Sequence, residues 1–274
     1  MLTSQRKQHI LSVLRRDGNV VAKSLSEELG LSEDTIRRDL RELAGEGLLQ
    51  RVHGGALPLA AAEADFAGRQ QLAPDEKVAI GRAAARLVKP GQVVFIDGGT
   101  TAVQLARHLP LNLQATVVTH SPPVAMELAS HAGIEVVLIG GRLFRHSIVA
   151  VGSAAMAAIA RVHADTYFMG VTGVHAEAGL TTGDLEEAEI KRALMASAAE
   201  TVVMASSEKI GAASAWVVNP VASASTLLVS PQAPAGALAS LRRTGLAILR
   251  SDNAELPQDG ADIAGRASGL PGPR

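Results

Sequence analysis

The chain has 274 residues, 47% hydrophobic but only 2% aromatic, with 26 Lys and Arg against 27 Asp and Glu. It contains no cysteine, which excludes disulfides, thiolate zinc sites and cysteine nucleophiles together. The near-neutral balance excludes holding nucleic acid by a uniform field, and the shortage of aromatics argues against stacking platforms for single strands. The length suits a small domain plus one of roughly 200 residues. No apolar run is long enough to span a membrane, and the charged N-terminal stretch predicts a helix instead of a signal peptide, so a cytoplasmic chain is expected.

The first informative stretch is Ser24 to His53. Ala22, Leu25 and Leu29 give one helix an inner face, Gly30 supplies a permissive turn, and Leu31 is placed to plug the corner. A second helix opens at Ser32, a good N-cap, with Glu33 and Asp34 in the first turn where the helix dipole favours negative charge. Ile36, Leu40 and Leu43 form its core stripe, while Arg37, Arg38 and Arg41 fall on the opposite arc. Leu48 to His53 then reads as a strand closed by Gly54 and Gly55, so that a two-stranded wing brings Arg51 and His53 toward a phosphate backbone.

Three acid–base spacings offer a blander reading of those arginines. Glu33 with Arg37, Asp34 with Arg38, and Arg38 with Glu42 are each four apart and suit solvated helix pairs. Arg41 has no acidic residue at that spacing on either side. Residues 1–56 carry nine Lys or Arg and eight Asp or Glu, a net of +1, so DNA binding requires a local patch, doubled by dimerisation.

Residues 57–74 read as an alanine-rich linker with partial helical character. From Pro74 the pattern becomes α/β. A helix is predicted over 75–89, stopped by Pro90-Gly91. Buried strands follow at 93–96, 115–119, 134–139, 166–169, 201–205 and 226–229. The fold class is therefore α/β: a small N-terminal winged helix-turn-helix domain (1–56) and a larger, mostly parallel-sheet domain (75–250). The stretch 251–274, rich in Gly, Pro, Ala and Asp, reads as a disordered tail.

In such sheets ligands bind outside the carboxyl ends of the strands. Five loops belong there: Asp97-Gly98-Gly99-Thr100-Thr101, Thr119-His120-Ser121, Gly140-Gly141, Gly170 to Gly173, and Ser206 to Gly211. Two glycines and two hydroxyls before a helix make a seat for phosphate, to which Lys209 adds a cation. Asp184 with Glu187 also fits an Asp-led capping box, and Glu187 with Lys191 an ordinary exposed i,i+4 pair. No HExxH, Walker-type loop or Ser-His-carboxylate order stands out, and no metal or cofactor is expected.

The segments LSEELGLSEDTIRRDLREL, RVHGGA, EKVAIGRAAARLVKPGQVVFIDGGTT, VVTHSP, IGGRL, GLTTGDLEEAEIKRALM and SSEKIG occur in the order found in the DeoR family of bacterial transcriptional regulators. The chain resembles that family over about residues 3–250. The resemblance implies a winged helix-turn-helix repressor whose sensor domain is similar to ribose-5-phosphate isomerase, with a phosphorylated sugar as effector. It assigns Ser32, Thr35, Arg37, Arg38 and Arg41 to the reading helix, and Arg51 and His53 to the wing. It also assigns Asp97 to Thr101, Thr119 to Ser121, Gly140, Gly141, Glu187, Lys191 and Lys209 to the surroundings of the sugar phosphate. Two positions depart from the family pattern: many relatives carry asparagine at His120, and many carry an Asp-Ser-Ser-Lys-type stretch where this chain has Ser206-Ser207-Glu208-Lys209.

Those residues predict a sequence-specific repressor of a carbohydrate operon. Its expected partners are double-stranded operator DNA, a phosphorylated sugar and further copies of the chain, as a dimer or tetramer. One competing reading is a sugar-phosphate isomerase with an accessory DNA domain, Asp97 or Glu187 serving as general base. Another makes the larger domain a dimerisation module alone.

Overall fold

The structure is a computed structural model that describes residues 2–59 and 64–253. The tail expected at 251–274 lies outside it except for 251–253, as does part of the expected linker, 60–63.

The N-terminal part packs α1 (Thr3–Asp17), α2 (Ala22–Leu29) and α3 (Glu33–Gly45) against a small antiparallel sheet. Ile10, Leu14, Leu25, Ile36, Leu40 and Leu43 form its core, as the apolar stripes require. Gly30 takes the left-handed conformation, φ 62°, that ends α2, and the Leu31 N–H returns to the Ser26 carbonyl. Ser32 caps α3 by accepting from the Thr35 N–H at 3.2 Å. The wing differs from the expected strand pair in two ways. Its first strand, β2 (Gln50–Val52), is shorter than expected, leaving Leu48 exposed. The return strand β3 (Gly55–Leu57) also pairs with β1 (Val20–Val21), giving three strands in the order β1-β3-β2.

The linker region contains α4 (Phe66–Gln71), capped by Asp65, with Phe66 buried. Next comes α5 (Pro74–Ala85). It stops four residues before the predicted end, because the Arg86 and Leu87 N–H groups tighten onto carbonyls three residues back.

Seven parallel strands form the central sheet. They are β4 (Val93–Ile96), β5 (Ala115–Thr119), β6 (Ile134–Leu138), β9 (Ala164–Gly170), β12 (Ala198–Ala205), β14 (Thr226–Val229) and β15 (Ala247–Arg250), in the order β15-β14-β12-β9-β4-β5-β6. Successive residues point to opposite faces, so each strand feeds two cores. Val94, Ile96, Val117, Phe168 and Met204 pack with α5, α6 (Thr100–Arg107) and α7 (Pro122–Leu128). Phe95, Val118, Tyr167, Met169 and Val203 pack with α8 (Ser153–Ile159), α9 (Leu185–Ala196) and α10 (Ala235–Arg242).

Two further small sheets went unpredicted. One pairs β7 (Arg142–Phe144) with β8 (Val149–Val151); the other orders β10 (Gly173–His175), β11 (Gly179–Thr182) and β13 (Trp216–Asn219). Among the described residues, no helix is long and apolar enough to cross a membrane.

Candidate functional site

The reading helix presents Arg37, Arg38 and Arg41 to solvent. Of the three spacings that favoured pairing, the one seen is Arg37 to Glu33 at 2.8 Å. Glu42 instead meets Lys7 of α1 at 3.0 Å, which leaves Arg38 and Arg41 without an acidic partner among the described residues. The Ser32 and Thr35 hydroxyls face each other at 2.9 Å in the N-cap. Asp39, on the core side of the helix, is buried and receives both Arg6 Nε and Arg6 Nη2, fixing α3 against α1. That residue escaped the sequence reading because a buried acid cannot be told from a surface one without its partner.

Arg51 and His53 are exposed on the wing and border a cavity of ≈ 640 Å³ whose far side is His175, Glu177 and Val217 of the larger domain. A parallel bridge between Leu59 and Ala213 fixes the chain leaving the wing to that same side.

A second site lies at the carboxyl rim of the large sheet. Gly98, Gly99, Thr100 and Thr101 line a cavity of ≈ 50 Å³ together with Glu187, Lys191 and Lys209. Gly99 has φ 106°, and a Cβ on Gly98 would lie 2.2 Å from Val149 Cγ1, so this loop is built for glycine. The loop leads straight into α6, whose first two residues, Thr100 and Thr101, line the cavity. Thr101 Oγ1 and Glu208 Oε2 are buried without a hydrogen-bond partner among the described residues.

Four cations surround this space. Lys191 and Lys209 were expected; Arg69 from α4 and Lys77 from α5 were not. Lys77 is 3% exposed, its ammonium held by the Arg69 and Leu72 carbonyls. Arg69 donates to Ser147 Oγ at 3.1 Å. Lys209 retains some exposed surface, yet protein surrounds its ammonium. Burial pushes its pKa down to about 8, with Lys77, Arg69 and Lys191 pressing the same way against Glu208. Burial likewise lowers Arg69 and Lys77. Glu187 and Glu208 line the same cavity, and Lys191 is paired with Asp97, so the cations are partly balanced.

Asp97 lies immediately behind the loop and is fully buried. Burial alone would raise its pKa; the Lys191 ammonium and the His120 hydrogen bond overrule it, holding the carboxyl well below its usual range. Its oxygens also accept the Gly98 and Gly170 N–H groups, each at 2.8 Å, tying three strand ends together. Tyr167 is buried nearby; burial and the Asp97 charge raise its pKa. The expected exposed pair of Glu187 with Lys191 does not form. Lys191 turns inward to Asp97, while Glu187, buried at 8% exposure, borders the cavity with its N–H capped by Asp184 at 3.0 Å.

The five loops do not converge as expected. Those after β4, β9 and β12 reach the cavity. Thr119, His120 and Ser121 are buried behind it: Thr119 Oγ1 donates to the Ile96 carbonyl, and His120 bridges Asp97 and the Ala150 carbonyl. Gly140 and Gly141 are exposed at the far end of the rim, where Gly141 packs close to the Val151 carbonyl. None of these five residues borders the cavity, because β5 and β6 lie outside β4 in the strand order, although Ser121 Oγ is buried without a hydrogen-bond partner among the described residues.

Among the described residues, no group of three or more acidic or histidine side chains is arranged to hold a metal ion.

The family profile for the DeoR C terminal sensor domain matches residues 72–230, and that for the DeoR-like helix-turn-helix domain matches residues 6–60. The HTH-type transcriptional regulator GlpR of Haloferax volcanii is 38% identical over 213 residues, covering 77% of this chain and 83% of its own length. The glycerol-3-phosphate regulon repressor of Escherichia coli K12 is 30% identical, covering 77% and 84%. Among solved structures, ribose 5-phosphate isomerase A of Methanocaldococcus jannaschii is 21% identical with a TM-score of 0.37, covering 50% of this chain and 54% of that one. A likeness that distant carries no argument.

Proposed function

The chain belongs to the DeoR family of HTH-type transcriptional regulators, and from that membership we propose that it represses a carbohydrate-metabolism operon until a phosphorylated sugar binds the rim cavity. The observation that carries this reading is the convergence of Arg69, Lys77, Lys191 and Lys209 on a glycine-built loop with an unpartnered Thr101 hydroxyl. Phosphate satisfies the cations, the loop N–H groups and the hydroxyl together. Glycerol 3-phosphate, named for one relative, belongs to the same phosphorylated polyol class.

On the DNA side, Arg38 and Arg41 are the unpaired cations of the reading helix and are assigned to base edges and phosphates, with Arg37 able to exchange Glu33 for a phosphate. Ser32 and Thr35 approach the backbone from the helix start, and Arg51 and His53 approach it from the wing. Two copies of the chain align two reading helices with two half-sites. The protein acts in the cytoplasm, where the operator and phosphorylated sugars meet. The isomerase alternative is set aside: the relatives matched over most of the chain are regulators.

The test is a gel-shift titration on DNA upstream of the neighbouring metabolic genes, with and without sugar phosphates. A retarded band released by a sugar phosphate supports the reading; a band indifferent to all of them refutes the effector half.

A further inference from the structure

The two edges of the large sheet are finished differently. At β15 the apolar side chains Ile248 and Leu249 are half-buried against the two cores. At β6, which pairs with β5 alone, Val137 and Leu138 stay 41% and 52% exposed. The outer row of N–H and C=O groups on β6 has no strand beside it among the described residues. Apolar surface widens on both sides of that edge. Met126 of α7, which packs against β6, is 75% exposed, and Leu143 of β7, the next strand in the chain, is 48% exposed.

Edge strands are ordinarily guarded by charge, proline or a bulge, and β6 has Glu135 alone. The four apolar side chains together expose on the order of 400 Å², the size of patch that marks an interaction site. That is about half of the ~800 Å² a standard interface takes from each partner, which matches the apolar share of such interfaces. The rest of the chain does not suit as cover. Residues 254–274 follow β15, at the opposite edge, six strand spacings or about 29 Å from β6. Their large aliphatic residues are Leu256, Ile263 and Leu270, no two adjacent, so they hold no apolar run to match Val136, Val137 and Leu138.

A second copy does suit. A strand edge is self-complementary under a two-fold axis, because a strand laid antiparallel on its own copy pairs the outward N–H and C=O groups reciprocally. Centred on Val137, such a pairing sets Val136 opposite Leu138 of the other copy and keeps the two Glu135 carboxylates apart. Building on the reading that two copies meet two half-sites, we propose that the chain self-associates by joining β6 to β6, with Met126 and Leu143 packed across the seam. The two large sheets become one continuous sheet. None of the four apolar residues borders the rim cavity, so substitutions there break association without touching the effector site.

Sedimentation velocity on the full chain at micromolar concentration tests this. The natural chain is expected to run as a dimer or a multiple of one, and Val137→Lys and Leu138→Lys are each expected to halve its mass. Leu48→Lys, a comparably exposed change in the DNA-binding domain, is expected to leave the mass as it was. Circular dichroism certifies the fold of each variant. Where the β6 lysine variants fail to fold, Val137→Cys decides instead: it is then the chain's single cysteine, and mild oxidation must link two copies covalently. The proposal is overturned if folded β6 lysine variants keep the natural mass, if Leu48→Lys halves it as well, or if Val137→Cys stays unlinked. In each of those cases the two-copy reading stands, through another surface. A natural chain that sediments as a monomer brings down both.

Discussion

His120 Nε2 stands 2.9 Å from Asp97 Oδ1, and both side chains are closed off from solvent. Nδ1 of the same ring lies 2.9 Å from the Ala150 carbonyl. The ring thus sets one nitrogen against each of two oxygens. An asparagine has one donating nitrogen and turns an oxygen toward one of the two acceptors. His120→Asn is therefore expected to cost about 1–3 kcal/mol in denaturant unfolding, while phosphate affinity is unchanged because His120 does not border the cavity. Asp97→Asn is the more severe change. It leaves the buried Lys191 ammonium uncompensated, an expected loss of about 3–5 kcal/mol measured the same way.

Arg41 carries the DNA assignment most directly, having no acidic partner among the described residues. Arg41→Ala is expected to weaken operator binding by about 1–3 kcal/mol, with thermal stability unchanged. Arg37→Ala is expected to have the smaller effect, since the free protein already occupies that guanidinium with Glu33. Operator titration of the two variants under identical salt compares them; equal losses would end the distinction.

Lys209 makes the cavity sensitive to pH. Its pKa falls from 10.5 to about 8 on burial, a direction that penalises the folded state while the ammonium is charged. The penalty is full below about pH 8. It lifts as pH rises toward the unfolded value, because the native form releases its proton first. Unliganded protein is thus expected to gain stability from this group between about pH 8 and 10.5. Stabilisation by phosphate runs the other way and fades as the ammonium is lost. Lys209→Met should raise the unliganded Tm near neutral pH and remove both trends from thermal-shift curves.

Two neighbouring glycines of the wing separate space from conformation. A Cβ on Gly55 would lie 1.8 Å from the Val20 carbonyl oxygen, whereas Gly54 has φ 80° and open space around it. Gly55→Ala must part β3 from β1 and is expected to cost about 3 kcal/mol; Gly54→Ala bears only the left-handed strain, roughly 1 kcal/mol. Thermal unfolding of both variants tests the order.

Six of the seven strands of the large sheet were legible because each carries a largely apolar run, as in Val93–Ile96 and Thr226–Val229, whereas the edge strand β15 was not among the strands expected. β10, β11 and β13 were not: Gly173–His175 and Gly179–Thr182 look like loop until their pairing across the chain is seen. The glycine loop and Lys209 were read at the site from their neighbours in sequence. Arg69 and Lys77 were missed for a different reason. Lys77 resembles a surface lysine on an amphipathic helix, and only the carbonyls of Arg69 and Leu72 turn it inward. The supporting role of His120 was equally hidden, since strand order, not strand identity, keeps its loop off the cavity.

The stretch joining the two halves also bears on how such regulators exchange parts. Arg69 and Leu72 belong to the span first read as a tether, yet they form cavity wall. A chimera joined after Leu59 takes only a DNA address from its donor. One joined after Ala73 also imports part of the donor's ligand preference. Hybrids made at that later seam should answer to metabolites that neither parent's sensor domain predicts alone.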